Sequence, residues 1–257
     1  MKKKPVMTND LMRSFGRVNG RKLRDGQQEL VDNLLPKLSV DIAGIKKLKD
    51  NGIKGGDPLI VQKIFYEQAE QTASPANPST TLPINPIFLE IGFGYGEHLV
   101  GMAQKYPDVN FIGCEPFING VATILKHIKD TEVRNIRLLH GDARLLMDEL
   151  PEGSIDRLFI LFPDPWPKAK HHKKRFINAE ILENLARVIK SGGRLDIATD
   201  HVDYGVWIAE HLSNQKYFSE NEIIGAYNIP DDWVETRYQQ KARVQGREAR
   251  FFNYVKV

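Results

Sequence analysis

The chain has 257 residues, 41% hydrophobic and 27% charged, with a formal net charge of +3. That length allows one substantial core with an appendage. No apolar run approaches the roughly 20 residues a membrane-crossing helix needs, and the basic start MKKKPVMTNDLMRSF lacks the apolar stretch of a secretion signal. The single cysteine, Cys114, cannot form an internal disulfide and falls in the apolar run NFIGCE. It reads as a small core residue of a protein expected in the reducing cytoplasm.

Charge is unevenly placed. Residues 1–24 carry Lys2, Lys3, Lys4, Arg13, Arg17, Arg21, Lys22 and Arg24 against one acid, Asp10, and a second run, KAKHHKKR from Lys168 to Arg175, holds no acid. On a nearly balanced chain such clusters predict a localised polyanion footprint. A short helical pattern covers Gln27 to Leu35, with Pro36 expected to end it. Residues 72–86, TASPANPSTTLPINP, hold four prolines and no charge and predict an extended connector. The expected division is therefore a basic N-terminal extension with its connector over 1–86 and a catalytic domain over 87–257.

From residue 87 strands and helices alternate. Near-continuous apolar runs predict strands at 87–91, 110–114, 136–140, 156–162 and 194–199, each covered on both faces. Helical patterns lie between them at about 97–106, 117–130, 143–149 and 177–190, the last expected to close on Ser191-Gly192-Gly193. A helix at 203–213, a weaker strand near 217–224 and a closing strand in ARFFNYVKV follow. This is the pattern of a doubly wound parallel sheet, which binds ligands at the carboxyl ends of its strands.

The run FLEIGFGYG sets Glu90 at a strand end and then Gly92, Gly94 and Gly96, the conformation a nucleotide needs to lie against backbone. The spacing differs from the dinucleotide fingerprint, and Glu97 at the helix start would repel a diphosphate, so a ligand with a cationic or neutral group is favoured. Carboxylates close successive strands: Glu90, Glu115, Asp142, Asp164 and Asp200. They are expected to face one crevice suited to a cationic cofactor. Glu115, about 20 residues past the glycines, stands where a carboxylate accepts from two ribose hydroxyls, or else caps the next helix. Asp142 is placed for an adenine amino group, with the Ala143 backbone N–H beside it, or for an N-cap. The loop LFPDPWPK packs three prolines, Asp164 and Trp166 after a buried strand. It is either a stiff holder of reacting groups or a simple strand terminator. The basic run supplies Lys170, Lys173, Lys174 and Arg175 as phosphate contacts, or a solvated helix start. Adjacent His171 and His172 share no ligand geometry with a Cys/His set, so no metal is expected.

The motifs LEIGFGYGEHL, GCEPF, HGDAR, LFPDPWPKAKHHKKR, ATDH (Ala198 to His201) and TRY (Thr236 to Tyr238), in this order and preceded by RSFGRVNGRKL, resemble the bacterial tRNA (guanine-N7)-methyltransferases of the TrmB type. The likeness runs from about residue 88 to the C-terminus and includes the arm at 13–23. It implies a Rossmann-like class I methyltransferase fold, a mainly parallel seven-stranded sheet with helices on both faces. The implied donor is S-adenosylmethionine, and the implied acceptor is N7 of the guanine at position 46 in the variable loop of tRNA. By this resemblance Glu90, Glu115 and Asp142 bind the cofactor together with the glycine loop, and Asp164 is both catalytic and close to it. Lys168, Asp200 and the segment Thr236, Arg237, Tyr238, Gln239 would contact the substrate. Gln239 stands where the family usually has glutamate; a glutamine still accepts through its carbonyl but brings no charge.

Two other readings stay open on the residues alone. One is an amino-group methyltransferase acting on adenine, whose Asp/Asn-Pro-Pro-aromatic loop is one proline longer than Asp164-Pro165-Trp166. The other is an RNA-binding protein with a vestigial cofactor pocket. The chain is expected to act as a monomer or a homodimer.

Overall fold

Side-chain alternation decides the architecture. In β1 (Ile87–Ile91), Ile87, Leu89 and Ile91 turn to one face of the sheet, and Phe88 and Glu90 to the other, as a period of two requires. The same alternation runs through β2 (Asn110–Cys114), β3 (Ile136–Leu139), β4 (Ile155–Leu161), β5 (Ile189–Thr199), β6 (Phe218–Glu220) and β7 (Arg250–Lys256), which form one sheet in the order β3-β2-β1-β4-β5-β7-β6. The first five strands are parallel, and β7 runs antiparallel to both β5 and β6. The computed structural model describes residues 16–50, 61–63, 65, 84–225 and 227–257. Lys2, Lys3, Lys4, Asp10 and Arg13, and residues 72–83 of the proline-rich connector, lie outside the described residues.

Helices cover both faces. Helices α1 (Asp25–Asn33), α4 (Glu97–Lys105) and α5 (Ile118–Thr131) pack on one, with Leu30, Val31, Leu99, Met102, Val121 and Leu125 in that core. Helices α3 (Ile42–Asp50), α6 (Ala143–Glu149), α7 (Ala179–Val188) and α8 (Val202–Ser213) pack on the other. Between α1 and α3 lies the one-turn α2 (Leu35–Leu38), and α9 (Arg237–Val244) precedes β7. Among the described residues no helix is long and apolar enough to cross a membrane.

Three local expectations need correction. Pro36 does not stop a helix; it sits in the first turn of α2, where its missing N–H has no partner to lose. The chain then crosses to the open edge of the sheet. There Ser39 bridges Leu138, and the Val40 N–H donates to the Leu138 carbonyl at 2.9 Å, covering an edge otherwise left unpaired. Ser191-Gly192-Gly193 is not a helix cap, because α7 ends at Val188 and these residues lie inside β5 at a register shift against β4. The basic run is not the start of an α-helix either. Ala169–Lys174 form a 3-10 helix, and α7 opens only at Ala179, with Asn178 capping the Ile181 N–H at 3.0 Å.

The face carrying α4 holds a buried ion network. Arg157, 4% exposed, donates through Nε to Asp196 at 2.6 Å and through its terminal nitrogens to Asp232. Asp232 thereby ties the segment before α9 to β4. Removing one partner of a buried pair leaves the other charge desolvated. Asp196→Ala is therefore expected to lower the unfolding free energy by about 3 kcal/mol, read as a shifted urea midpoint at unchanged m-value. Asp130→Ala, which breaks the exposed pair of Asp130 with Lys126, should shift it by less than about 0.5 kcal/mol.

Candidate active site

After β1 the backbone turns into α4 through Gly92, Gly94 and Gly96, at φ +75°, +58° and +85°, a region that penalises any Cβ. Gly96 needs this freedom twice over, because a Cβ there would run into Ile124 of α5. Gly120, one turn into α5, matters equally and carried no sequence signal. A Cβ at that position would strike the Gly94 carbonyl oxygen, so a side chain there would push the loop outward. Loop and helix therefore approach backbone to backbone.

A cleft of about 400 Å³ opens at the carboxyl ends of β1, β2 and β4, lined among others by Gly92, Gly94, Glu115, Asp142, Ala143, Asp164, Trp166 and Tyr238. Glu115 accepts from the Gly94 N–H at 2.8 Å through one carboxylate oxygen and from the Phe117 N–H at 2.9 Å through the other. Of its two expected uses the structure shows the one at the entry to α5, and the same side chain also fixes the glycine loop. Burial lifts its carboxyl from the ordinary 4.5 to about 7, against the lowering effect of those two amides, with Asp164 and Glu90 adding to the rise. Asp142 caps α6 by accepting from the Arg144 N–H at 3.0 Å, and the Arg144 side chain pairs with the same carboxylate. Arg144 is a cleft residue that the sequence reading missed.

Of the five strand-end acids, three line this cleft. Glu90 does not. It is 2% exposed and points down onto the α4 face, where its Oε2 meets His98 Nδ1 at 2.8 Å. Alternation put it there: its neighbours Leu89 and Ile91 take the opposite face. Asp200 is also elsewhere, paired with Arg247 at 2.5 Å.

The loop after β4 lines the cleft through Phe162, Pro163, Asp164 and Trp166. Phe162 and Trp166 adopt φ +52° and +43°, strained values for residues with side chains that concentrate at working sites. Asp164 stands at the crest between them, and the cleft walls around it push its carboxyl above the usual range by desolvation. Trp166 has the ammonium of Lys174 4.7 Å from its ring centroid and His171 edge-on at 5.8 Å. Lys173 and Lys174 line the cleft, while Lys168 and Lys170 are exposed on its flank. Arg175, expected with them as a phosphate contact, also lines the cleft but is 2% exposed, its guanidinium engaged by the Pro165 carbonyl and Asp203.

Opposite the loop, Thr236 caps α9 by accepting from the Gln239 N–H at 3.1 Å. Tyr238 lies over the glycine loop, 3.3 Å from where a Cβ on Gly94 would be. Arg237 pairs with Glu97 at 3.0 Å and lies 4.9 Å from the Tyr95 ring centroid. The Gln239 carbonyl accepts from the Trp233 indole at 2.6 Å, a use that needs no charge. The N-terminal arm reaches the same rim. Gly16 and Arg17 line the cleft, and the Val18 carbonyl accepts from the Ile118 N–H at 3.1 Å. Cys114 is buried at the base of the cleft, and burial pushes its thiol up. Among the described residues no three His, Cys, Asp or Glu side chains gather as a metal site.

The Glu115 shift has a stability consequence. The folded protein keeps this proton up to about pH 7, while the unfolded chain releases it near 4.5, so the folded state binds more protons across that window and stability falls as pH rises through it. The loss attributable to Glu115 should reach about 3 kcal/mol. Urea unfolding of wild type and Glu115→Gln at pH 5 and 8 checks it: a pH dependence equal in both proteins would remove the assignment.

Comparison with known proteins places these residues in a family. A family model described as "Putative methyltransferase" matches residues 84–251. A tRNA (guanine-N(7)-)-methyltransferase of Zymomonas mobilis is 37% identical over 249 residues, covering 96% of this chain and 95% of its own. The protein of the same name from Paracoccus denitrificans is 40% identical over 241 residues, covering 93% of each chain. The fold is shared with TrmN from Thermus thermophilus, at a TM-score of 0.50 and 16% identity over 78% of this chain and 49% of that one. With two relatives well above 30% identity along nearly the whole length, the chain belongs to the tRNA (guanine-N7)-methyltransferase family.

Proposed function

We propose that the cleft binds S-adenosylmethionine and that the chain methylates N7 of guanine 46 in tRNA, with Asp164 as the catalytic residue. The observation that carries this reading is the convergence of Glu115, Asp142 and Asp164 on one cleft beside a side-chain-free glycine loop. The donor set fits the cofactor: Glu115 is a desolvated carboxylate for a ribose diol, Asp142 and the Ala143 N–H lie along the cleft for the base, and the surrounding acids suit a sulfonium. When bound, S-adenosylmethionine supplies an electrophilic methyl group. Glu90 then acts from beneath, holding α4 and the glycine loop through His98.

Guanine N7 carries a lone pair and no proton, so Asp164 has no proton to remove. Its carboxylate faces the positive charge that grows on the purine, and a fixed anion there stabilises the transition state more than the ground state. The strained, proline-bound loop holds it in place, and alignment supplies most of the rate. Tyr238 and Trp166 both line the cleft and offer ring faces to a base. Lys168, Asp200, Thr236, Arg237 and Gln239 complete the substrate side, with Lys170, Lys173 and Lys174 on the phosphates. The proposed division is a basic extension over 1–86 and a methyltransferase domain over 87–257, supported by a family match that begins at residue 84. With this reading go a cytoplasmic location and a monomer or homodimer.

The direct test offers labelled S-adenosylmethionine with unmodified tRNA and with duplex DNA, then maps the labelled atom. Alkali-labile N7-methylguanine in tRNA is the expected product, and label on an adenine amino group would overturn the reading. Asp164→Asn should retain cofactor binding and lose turnover by about 100-fold or more; an unchanged kcat would remove Asp164 from the chemistry. Replacing Lys173 and Lys174 together by Ala should weaken tRNA binding and reduce the slope of log K against log salt by about 2.

A further inference from the structure

The loop that carries Asp164 is short of backbone donors. Pro163, Pro165 and Pro167 have no N–H, so the segment cannot hold itself by the turn hydrogen bonds that fix most loops. Two bonds from outside bracket it instead. Before Asp164, the Phe162 N–H donates to the Ala198 carbonyl at 2.8 Å. After it, the Pro165 carbonyl accepts from Arg175 Nε at 2.9 Å. The strained Phe162 and Trp166 lie at either end of this bracketed stretch.

Arg175 is itself built in. Its guanidinium is 5.1 Å from the Tyr204 ring centroid and 5.0 Å from that of Trp207, and a terminal nitrogen pairs with Asp203. All three partners belong to α8. The backbone beside it is held by the same helix: Trp207 Nε1 donates to the Ile177 carbonyl at 2.7 Å, and the Ile177 N–H donates to the Tyr204 hydroxyl at 3.2 Å. A planar fork lying over two rings and bonded at two ends has a set direction, so the position of the Pro165 carbonyl is referred to α8.

We infer that Arg175 is a positioning residue for methyl transfer: anchored on Asp203, Tyr204 and Trp207, it fixes the Pro165 carbonyl and thereby the neighbouring Asp164 carboxylate, and it does not bind phosphate. The inference rests on the catalytic role proposed for Asp164. It also assigns Asp203, Tyr204 and Trp207 a part in the active site although they lie behind it.

The test compares Arg175→Lys, Arg175→Met and Asp203→Ala with Asp164→Asn, measuring single-turnover methylation and tRNA affinity over a salt series. A lysine keeps the charge but cannot span Pro165 and Asp203 as a fork. Both Arg175 variants should therefore lose about 100-fold in rate, with tRNA affinity and its salt slope unchanged. Asp203→Ala, whose own side chain is exposed, should lose on the order of tenfold in rate and fold with a lowered Tm, because buried Arg175 loses its charge partner. It decides the matter if an Arg175 variant fails to fold, because an unaltered rate in Asp203→Ala would overturn the proposal. Full activity in Arg175→Lys, or a salt slope reduced by about 1 in Arg175→Met, would restore Arg175 to the phosphate contacts. A fully active Asp164→Asn would instead remove the catalytic reading on which this one stands.

Discussion

Two backbone amides converge on the Glu115 carboxylate, one from the glycine loop and one from the start of α5, and the cleft is organised by that convergence. The loop's glycines contribute no side-chain packing, so backbone bonds hold it: Gly92 N–H to the Cys114 carbonyl at 2.8 Å, Gly96 N–H to the Phe93 carbonyl at 2.9 Å, and the bond of Gly94 to Glu115. Gly120 lets α5 come close enough for the two bonds to form. A carboxylate in so dry a place is costly to ionise, which explains its raised pKa and makes it receptive to hydroxyl donors and to a cation.

The opposite wall of the cleft depends on charges buried under the sheet. The segment 231–239 runs from Asp232, bonded to Arg157, past Val234 against Gly101 and Trp233 against His98, up to Tyr238 over Gly94. Its lower end is fixed by an ion network, its middle by aromatic packing and its upper end by the Thr236 cap. Glu90 and His98 belong to the same face, and their contact braces the helix that the loop opens into. The two walls thus use different physics: short backbone bonds on the Glu115 side, and desolvated ion pairs with aromatic contacts on the Tyr238 side.

Basic residues around the mouth divide by burial. Lys168, Lys170, Lys173 and Lys174 keep their ammonium groups at the surface or the cleft rim, where a polyanion can reach them. Arg175, next in line, does the reverse. A guanidinium tolerates a stacked, desolvated position better than an ammonium, being flat and weakly hydrated. An unbroken run of cations in the chain therefore contains both a surface for RNA and a structural pin.

Much of this protein was legible before folding. The apolar runs at 87–91, 110–114 and 156–162, the glycine spacing and the acids at strand ends set the sheet, its ligand edge and most of the cleft, because those signals are local and periodic. Tertiary structure alone decided that Glu90 faces α4, that Asp200 pairs with Arg247, that Ser191-Gly192-Gly193 lies within a strand, and that Arg175 points inward. Each of these depends on what another part of the chain brings alongside, such as His98, Arg247, β4 or the rings of α8. A residue's type states what it can bond, but the partner it meets, and the water it loses, are set only when the sheet and helices close around it.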